Sequence, residues 1–314
     1  MTNRPLRLGF LGAGTWMRTY HLPSDMELAG TGELVLQGIW NRTMSTALEV
    51  AREFSILKVY PDPEELIASP EIDAVVIAVA RHATGELISL CNRYNKPILV
   101  EKPPANDYDE ASRLSELITV PTLVAFNRTF TPVFRRLQSC LPWHIDRVEC
   151  LFHRRERNDR QFVLETGIHA LMNCSILFGD GVLEECVKST ACGAPVPAWH
   201  ATVAYPQAGD LRVHFEFDPW SSLSVERFFL YSGSRTICLQ FNQHFAQDDE
   251  ELLSISEDGR VLSTWRPDQF SLLERQGYVG EYRAFIEMIR SGTKSPIDIS
   301  HAARVMYLAQ QIGN

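Results

Sequence analysis

The longest strongly apolar run near either end of this sequence, residues 6–13, is far too short to cross a bilayer. No cysteine pair has CxxC spacing, and the seven cysteines (Cys91, Cys140, Cys150, Cys174, Cys186, Cys192 and Cys238) are odd in number. A zinc motif and a disulfide scaffold are therefore poor accounts of a 314-residue chain, and the thiols read as reduced packing residues. Glycine and proline, at 18 and 17, stay near ordinary usage, which excludes collagen-like and low-complexity readings. Positive charge is in deficit: 30 Lys and Arg stand against 39 Asp and Glu, for a net charge of −9. A non-specific nucleic-acid binder leans the other way, so nucleic acid is not an expected partner. The N-terminal stretch has no cleavable apolar core, so the expected address is cytoplasmic, without a membrane partner. There is no internal repeat and no long linker.

What is present is enough apolar sequence, 45% against 22% charged, for a packed core. Through residue 125, short apolar runs alternate with helical patterns. Strands are expected at 7–11, 34–40, 57–60, 74–79, 97–100 and 123–126. Helices are expected at 15–20, 45–54 (with Ser45 as N-cap), 63–69, 84–94 and 109–118. The run 74–79 is nearly continuous Val, Ile and Ala, as in a strand covered on both faces. This rhythm implies βαβ units and a mainly parallel sheet over residues 1–125.

After about residue 126 the pattern changes. A helix starts at Thr131-Pro132, a strand is expected at 146–152 and a helix at 165–178. Strand-like stretches follow at 183–190, 200–205, 211–217, 224–231 and 236–241, then helices at 279–289 and 301–310. Residues 211–217 alternate apolar and polar, as a half-buried strand does. Residues 126–314 thus read as an α+β domain dominated by antiparallel pairing, and the acidic stretch 247–251 as a solvated turn.

The sharpest local signal is Gly12-Ala13-Gly14, directly after the first strand. One glycine permits a tight turn and another lets a pyrophosphate approach a helix N-terminus. Thr15 continues into that helix. The usual third small residue is replaced by Met17, which leaves a bland turn as the alternative. After the second strand, Asn41, Arg42 and Thr43 stand where an NAD-binding carboxylate is often found. Arg42 can pair with a 2′-phosphate, so NADP is favoured over NAD; the alternative is a surface arginine.

Four stretches together resemble the Gfo/Idh/MocA oxidoreductase family: GFLGAG at 9–14, Glu101-Lys102-Pro103 after a strand, FNRTFTP at 126–132, and ETGIH at 165–169. The resemblance implies an N-terminal Rossmann domain and a C-terminal domain with a large open, mainly antiparallel sheet. It implies hydride transfer between NAD(P) and a sugar-like or other small hydroxy or carbonyl compound, and assembly as a homodimer or homotetramer. It assigns Lys102 to the active site, where an ammonium stabilises a developing oxyanion. It makes His169 the proton donor or acceptor, with Glu165 orienting it or contacting substrate. Gly167 between them would allow close approach of substrate or nicotinamide. Gly12, Gly14, Thr15, Asn41, Arg42, Thr43, Val79, His82, Glu101 and Lys102 would line the cofactor site. Asn127, Arg128, Glu165 and His169 would face the substrate. No metal is implied.

The chain departs from the family pattern at Glu165, where aspartate is usual, at Met172, where a second acid is common, and across residues 79–84. Met172 suggests a less hydroxylated substrate, with cyclic imine or enone reduction as a variant. A nucleotide-binding regulator without turnover is the alternative from another class. For single residues the plain alternatives are a satisfied core histidine at His169, an interdomain salt bridge at Arg128, and a solvated loop over residues 154–157.

Overall fold

Ala74–Ile77 (β4) is buried at every position, and so are the apolar residues of Leu6–Leu11 (β1) and Ile98–Glu101 (β5). A strand without a polar face must be covered on both sides, which selects a parallel sheet with helical crossovers. The computed structural model describes residues 4–241 and 250–314. It joins these strands with Leu34–Trp40 (β2), Lys58–Val59 (β3) and Thr122–Ala125 (β6) in a six-stranded sheet of order β3-β2-β1-β4-β5-β6. Every pairing is parallel. This is the Rossmann order, and it reverses between β1 and β4, so the carboxyl ends of those two strands open a crevice.

The crossover helices are Leu22–Ala29 (α1), Met44–Glu53 (α2), Pro63–Ala68 (α3), Thr84–Arg93 (α4) and Tyr108–Leu117 (α5). Local chemistry sets their ends. Asp62 accepts the N–H groups of Glu64 and Glu65, and Asp107 accepts that of Glu110 at 2.8 Å, satisfying orphan donors of the first turn. Helix α2 begins after Thr43, so Ser45 lies inside it and is not its cap. The first helical segment also runs further than its sequence pattern suggests. A wide turn at Met17–His21, with π-type hydrogen bonding, leads directly into α1.

By internal contact the chain forms two units. The first holds residues 1–127 and 277–303, the second residues 128–276 and 304–314. The return of 277–303 to the first unit has a visible anchor, since Val124 donates to the Ile297 carbonyl at 2.9 Å. Nothing in the change of pattern near residue 126 announces it.

The second unit is built on an eight-stranded sheet. Its strands are Arg147–Arg155 (β7), Val182–Ser189 (β8), Ala198–Tyr205 (β9), Leu211–Ser221 (β10), Val225–Ser232 (β11), Arg235–Gln240 (β12), Leu252–Glu257 (β13) and Arg260–Trp265 (β14). Their order is β14-β13-β12-β11-β7-β10-β9-β8, antiparallel except for the β7–β10 pair. Alternation decides the buried face: Val148, Cys150 and Phe152 of β7 point the same way as Val213, Phe215 and Phe217 of β10. Pro132–Cys140 (α6) and the largely buried Ile168–Phe178 (α7) belong to this unit. Phe178 meets the Tyr205 ring at 5.7 Å. Thr131 caps α6 by accepting the Phe134 N–H.

Three readings of the sequence change here. Strand β7 continues through Arg155, so Arg154 is a buried strand residue and not part of a solvated loop. Strands β13 and β14 extend the sheet beyond the strands read from the sequence. Of the acidic stretch, residues 247–249 lie outside the described residues, while Glu251 is 4% exposed and no part of a solvated turn. The C-terminal helices are Leu272–Arg275 (α8), Tyr278–Ser291 (α9) and Ile299–Gly313 (α10). Among the described residues no helix is long and apolar enough to cross a membrane.

Candidate nucleotide cleft and acid–base residues

Strand β1 ends at Gly12, whose φ of +108° is open to glycine and strained for other residues. A Cβ there would stand 2.2 Å from the Ala78 carbonyl oxygen, so the backbone after β1 passes directly against that after β4. Gly12 N–H donates to the Trp40 carbonyl at 2.9 Å, and the Asn41 side-chain oxygen accepts the Ala13 N–H at 3.2 Å. The other end of that amide donates to the Thr43 carbonyl at 3.1 Å. Asn41 therefore ties the glycine turn to the start of α2. A side chain at Gly14, by contrast, would meet only open space.

That space is a cleft of about 630 Å³ within the first unit. Of the expected cofactor residues, Gly12, Gly14, Thr15, Asn41, Arg42, Val79, His82, Glu101 and Lys102 line it. Thr43 does not; it caps the backbone of α2 and is exposed. Among the described residues Arg42 makes no ion pair, and it is exposed. Sequence reading missed Trp16 and Trp40, which also line the cleft; aromatic residues flanking the glycine turn and ending β2 were the available signal.

Glu101 and Lys102 close the cleft from the end of β5. The Lys102–Pro103 peptide is cis. One Glu101 oxygen accepts the Lys102 main-chain N–H at 3.0 Å, and the other lies 2.8 Å from His21 Nε2. His21 Nδ1 is 3.0 Å from the Tyr282 hydroxyl. Asp25 and Glu281 are fully buried beside this group. Burial pushes both carboxyls well above the usual range; Tyr282 opposes this for Asp25, while nearby Glu101 and Asp25 add to it for Glu281. All of these residues belong to the first unit. None was singled out from sequence except Glu101 and Lys102.

In the second unit, Glu165 sits in a wide π-type turn, Val163–Gly167, and His169 in the first turn of α7. His169 is 4% exposed, and Glu165 is half-buried. Gly167 is needed for packing: a Cβ would come within 2.7 Å of the Phe217 ring, so the close approach it permits is to β10. Met172 is at 0% exposure, in the core.

Arg128 is also committed to the protein. Its Nε and Nη2 donate to the two Glu226 oxygens at 2.8 and 2.7 Å, and Arg154 donates to the same carboxylate. All three are buried within the second unit, so this pair is not interdomain. Arg154 also lies over the Phe152 ring at 4.4 Å, and burial pulls its pKa down against the opposing charge of Glu226. Asn127 is buried at the end of the first unit.

Residues 6–124 match the family model described as Oxidoreductase family, NAD-binding Rossmann fold, of Gfo/Idh/MocA. The myo-inositol 2-dehydrogenase of Thermotoga maritima is 27% identical over 139 residues, 43% of this chain and 40% of that enzyme. The chain's matches span about two fifths of the length of such curated relatives. Across nearly the whole chain the fold is that of a Clostridium difficile dehydrogenase, with a TM-score of 0.84 at 16% identity, covering 98% of each chain. It is also similar to a 3-ketoreductase of Actinomadura kijaniata solved with NADP and TDP-benzene, with a TM-score of 0.77 at 16% identity, covering 98% of this chain and 97% of that one. Residues 6–124 thus match the NAD-binding Rossmann-fold model of the Gfo/Idh/MocA oxidoreductases, and nearly the whole chain shares its fold with these two solved structures.

Proposed function

We propose that this chain is an NAD(P)-dependent oxidoreductase of a small polar hydroxyl or carbonyl compound, with NADP as its preferred dinucleotide. The observation that carries the reading is the single cleft that joins an open glycine turn to Lys102. Its volume of about 630 Å³ lies in the range of ligand pockets, and the empty space over Gly14 fits a pyrophosphate laid against the helix start.

In this reading the N–H groups of the turn hold the pyrophosphate, and Arg42, which makes no ion pair among the described residues, holds the 2′-phosphate. Trp16 and Trp40 supply apolar walls. The nicotinamide supplies hydride exchange with a substrate carbon. Lys102 donates a charged hydrogen bond to the reacting oxygen and stabilises negative charge there. His169 holds or delivers the proton, with Glu165 orienting it. Asn127 contacts substrate. Arg128, bidentate on Glu226, acts through the charge and rigidity of its ion pair. The similarity to an inositol dehydrogenase supports a polyol or sugar-like substrate. The full burial of Met172 removes the sequence argument for a less hydroxylated one. Self-association through the exposed face of the eight-stranded sheet completes the proposal. Its support is the half-exposed Leu151 and Phe229 on strands whose other face is core.

The test is titration with NADPH and NADH followed by a turnover screen over polyols, sugars and their carbonyl forms. Lys102→Met should lower kcat by about 100-fold or more while nucleotide affinity stays within about threefold. Arg42→Ala should weaken NADPH by about tenfold and leave NADH unchanged. Nucleotide binding with no turnover, and no effect of Lys102→Met, would favour the regulatory alternative.

A further inference from the structure

Behind the cleft wall the first unit buries a line of polar groups from four segments. His21 comes from the turn before α1, Asp25 from α1, Glu101 from the end of β5, and Glu281 and Tyr282 from α9. His21 and Tyr282 are 1% and 0% exposed, so both are shut off from bulk water. Tyr20 and Tyr278 stack at 4.8 Å beside them, and Tyr278 meets the His21 ring edge-on at 5.9 Å.

The hydrogen bonds converge on Glu101. With the imidazole proton on Nε2, His21 donates to Glu101 and accepts from the Tyr282 hydroxyl, which in turn faces Asp25. At the other end, the second Glu101 oxygen accepts the Lys102 main-chain N–H. Each donor is used once, and the line ends on the residue that carries the cleft ammonium.

We propose that His21 is a positioning residue for Lys102: by holding one oxygen of Glu101 it fixes the carboxylate whose other oxygen anchors the Lys102 backbone, and Tyr282 holds His21 in the tautomer that does so. The proposal rests on the reading of Lys102 given above. Four groups face His21 and its partners: the acids Asp25, Glu101 and Glu281, and the phenol Tyr282. Burial raises Asp25, Glu281 and Tyr282 well above their ordinary values. Without the imidazole, Glu101 faces a void on one side, and the strand end that carries Lys102 loses its brace.

The experiment has an arm that needs no substrate. The chain has only five lysines, Lys58, Lys96, Lys102, Lys188 and Lys294, so lysine labelled with ¹³C at Cε gives a readable NMR titration. Lys102→Arg identifies the Lys102 signal. In His21→Leu the Lys102 midpoint should move by about half a pH unit or more, while the other four lysines stay put. Tyr282→Phe, which removes one oxygen and keeps the packing, should move it in the same direction by less. His21→Gln, which keeps a donor near Nε2, should return it towards wild type. In turnover, His21→Leu should lower kcat by about tenfold with KM within about threefold and NADPH affinity within about twofold.

An unmoved Lys102 midpoint in Tyr282→Phe, or in a folded His21→Leu, would overturn the proposal, as would an unchanged kcat in the latter. A moved midpoint in a chain that turns over no substrate would uphold the positioning role. That same result would remove the oxidoreductase reading.

Discussion

Asp25 and Glu281 are fully buried carboxyl groups whose nearest titratable neighbours are acids, a phenol and one imidazole. Both are raised above their unfolded values, so the folded chain keeps protons that the unfolded chain releases above the ordinary carboxylate range. The sign follows: their contribution is intact in acid and is lost as pH rises through the folded values. Glu251, pushed up to about 8 by burial against the opposing charge of Arg275, has the same sign in the second unit. Stability in urea should therefore fall between about pH 5 and pH 8, and Asp25→Asn with Glu281→Gln should flatten much of that fall. An unaltered slope in the double variant would contradict the upward shift of these two carboxyls. Glu226→Gln tests the opposite situation. It leaves the buried Arg128 and Arg154 without their counter-charge and should cost about 3–5 kcal/mol, read as a lowered midpoint of unfolding.

What was legible at this scale was local. Gly12, Gly14 and Arg42 stand out within a few residues of a strand end, and Lys102 through its resemblance to a family motif. His21, Asp25 and Glu281 do not, because their meaning depends on a meeting between α1 and α9, some 260 positions apart, that no short window contains.

Among the elements, the glycine turn is the most exposed to test. Gly12→Ala combines a φ of +108° with a Cβ 2.2 Å from the Ala78 carbonyl oxygen. The backbone strain alone costs about 1–3 kcal/mol, and the clash must also part β1 from β4. The variant should melt lower and lose nucleotide binding together; binding at wild-type affinity would contradict the role given to this turn. The strands of the first unit were readable because a buried parallel strand is apolar throughout, as in β4. Strands β13 and β14 were not, since β14 is exposed or half-exposed along its length and carries no buried alternation. The two π-type turns leave no periodic trace either. Arg154 was misread because a strand carrying a buried guanidinium looks like a charged loop until its partner, Glu226, is found on β11.

For the whole molecule, sequence rhythm alone separates a parallel αβ half from an antiparallel one, and the structure has both. It does not foretell that residues 277–303 return to the first unit and supply Tyr282 and Glu281 behind the cleft. A family motif places Lys102 at a strand end; only the assembled unit shows what braces it.

The account stands or falls on whether the first unit's cleft holds a nicotinamide dinucleotide. Trp16 and Trp40 line that cleft, so energy transfer from protein tryptophan to NADPH reports occupancy directly. Wild type should give a saturable signal. Gly14→Val, whose Cβ meets no protein atom within 4 Å, should abolish it while melting like wild type. No saturable signal from wild type, or an undiminished one from Gly14→Val, would contradict the account.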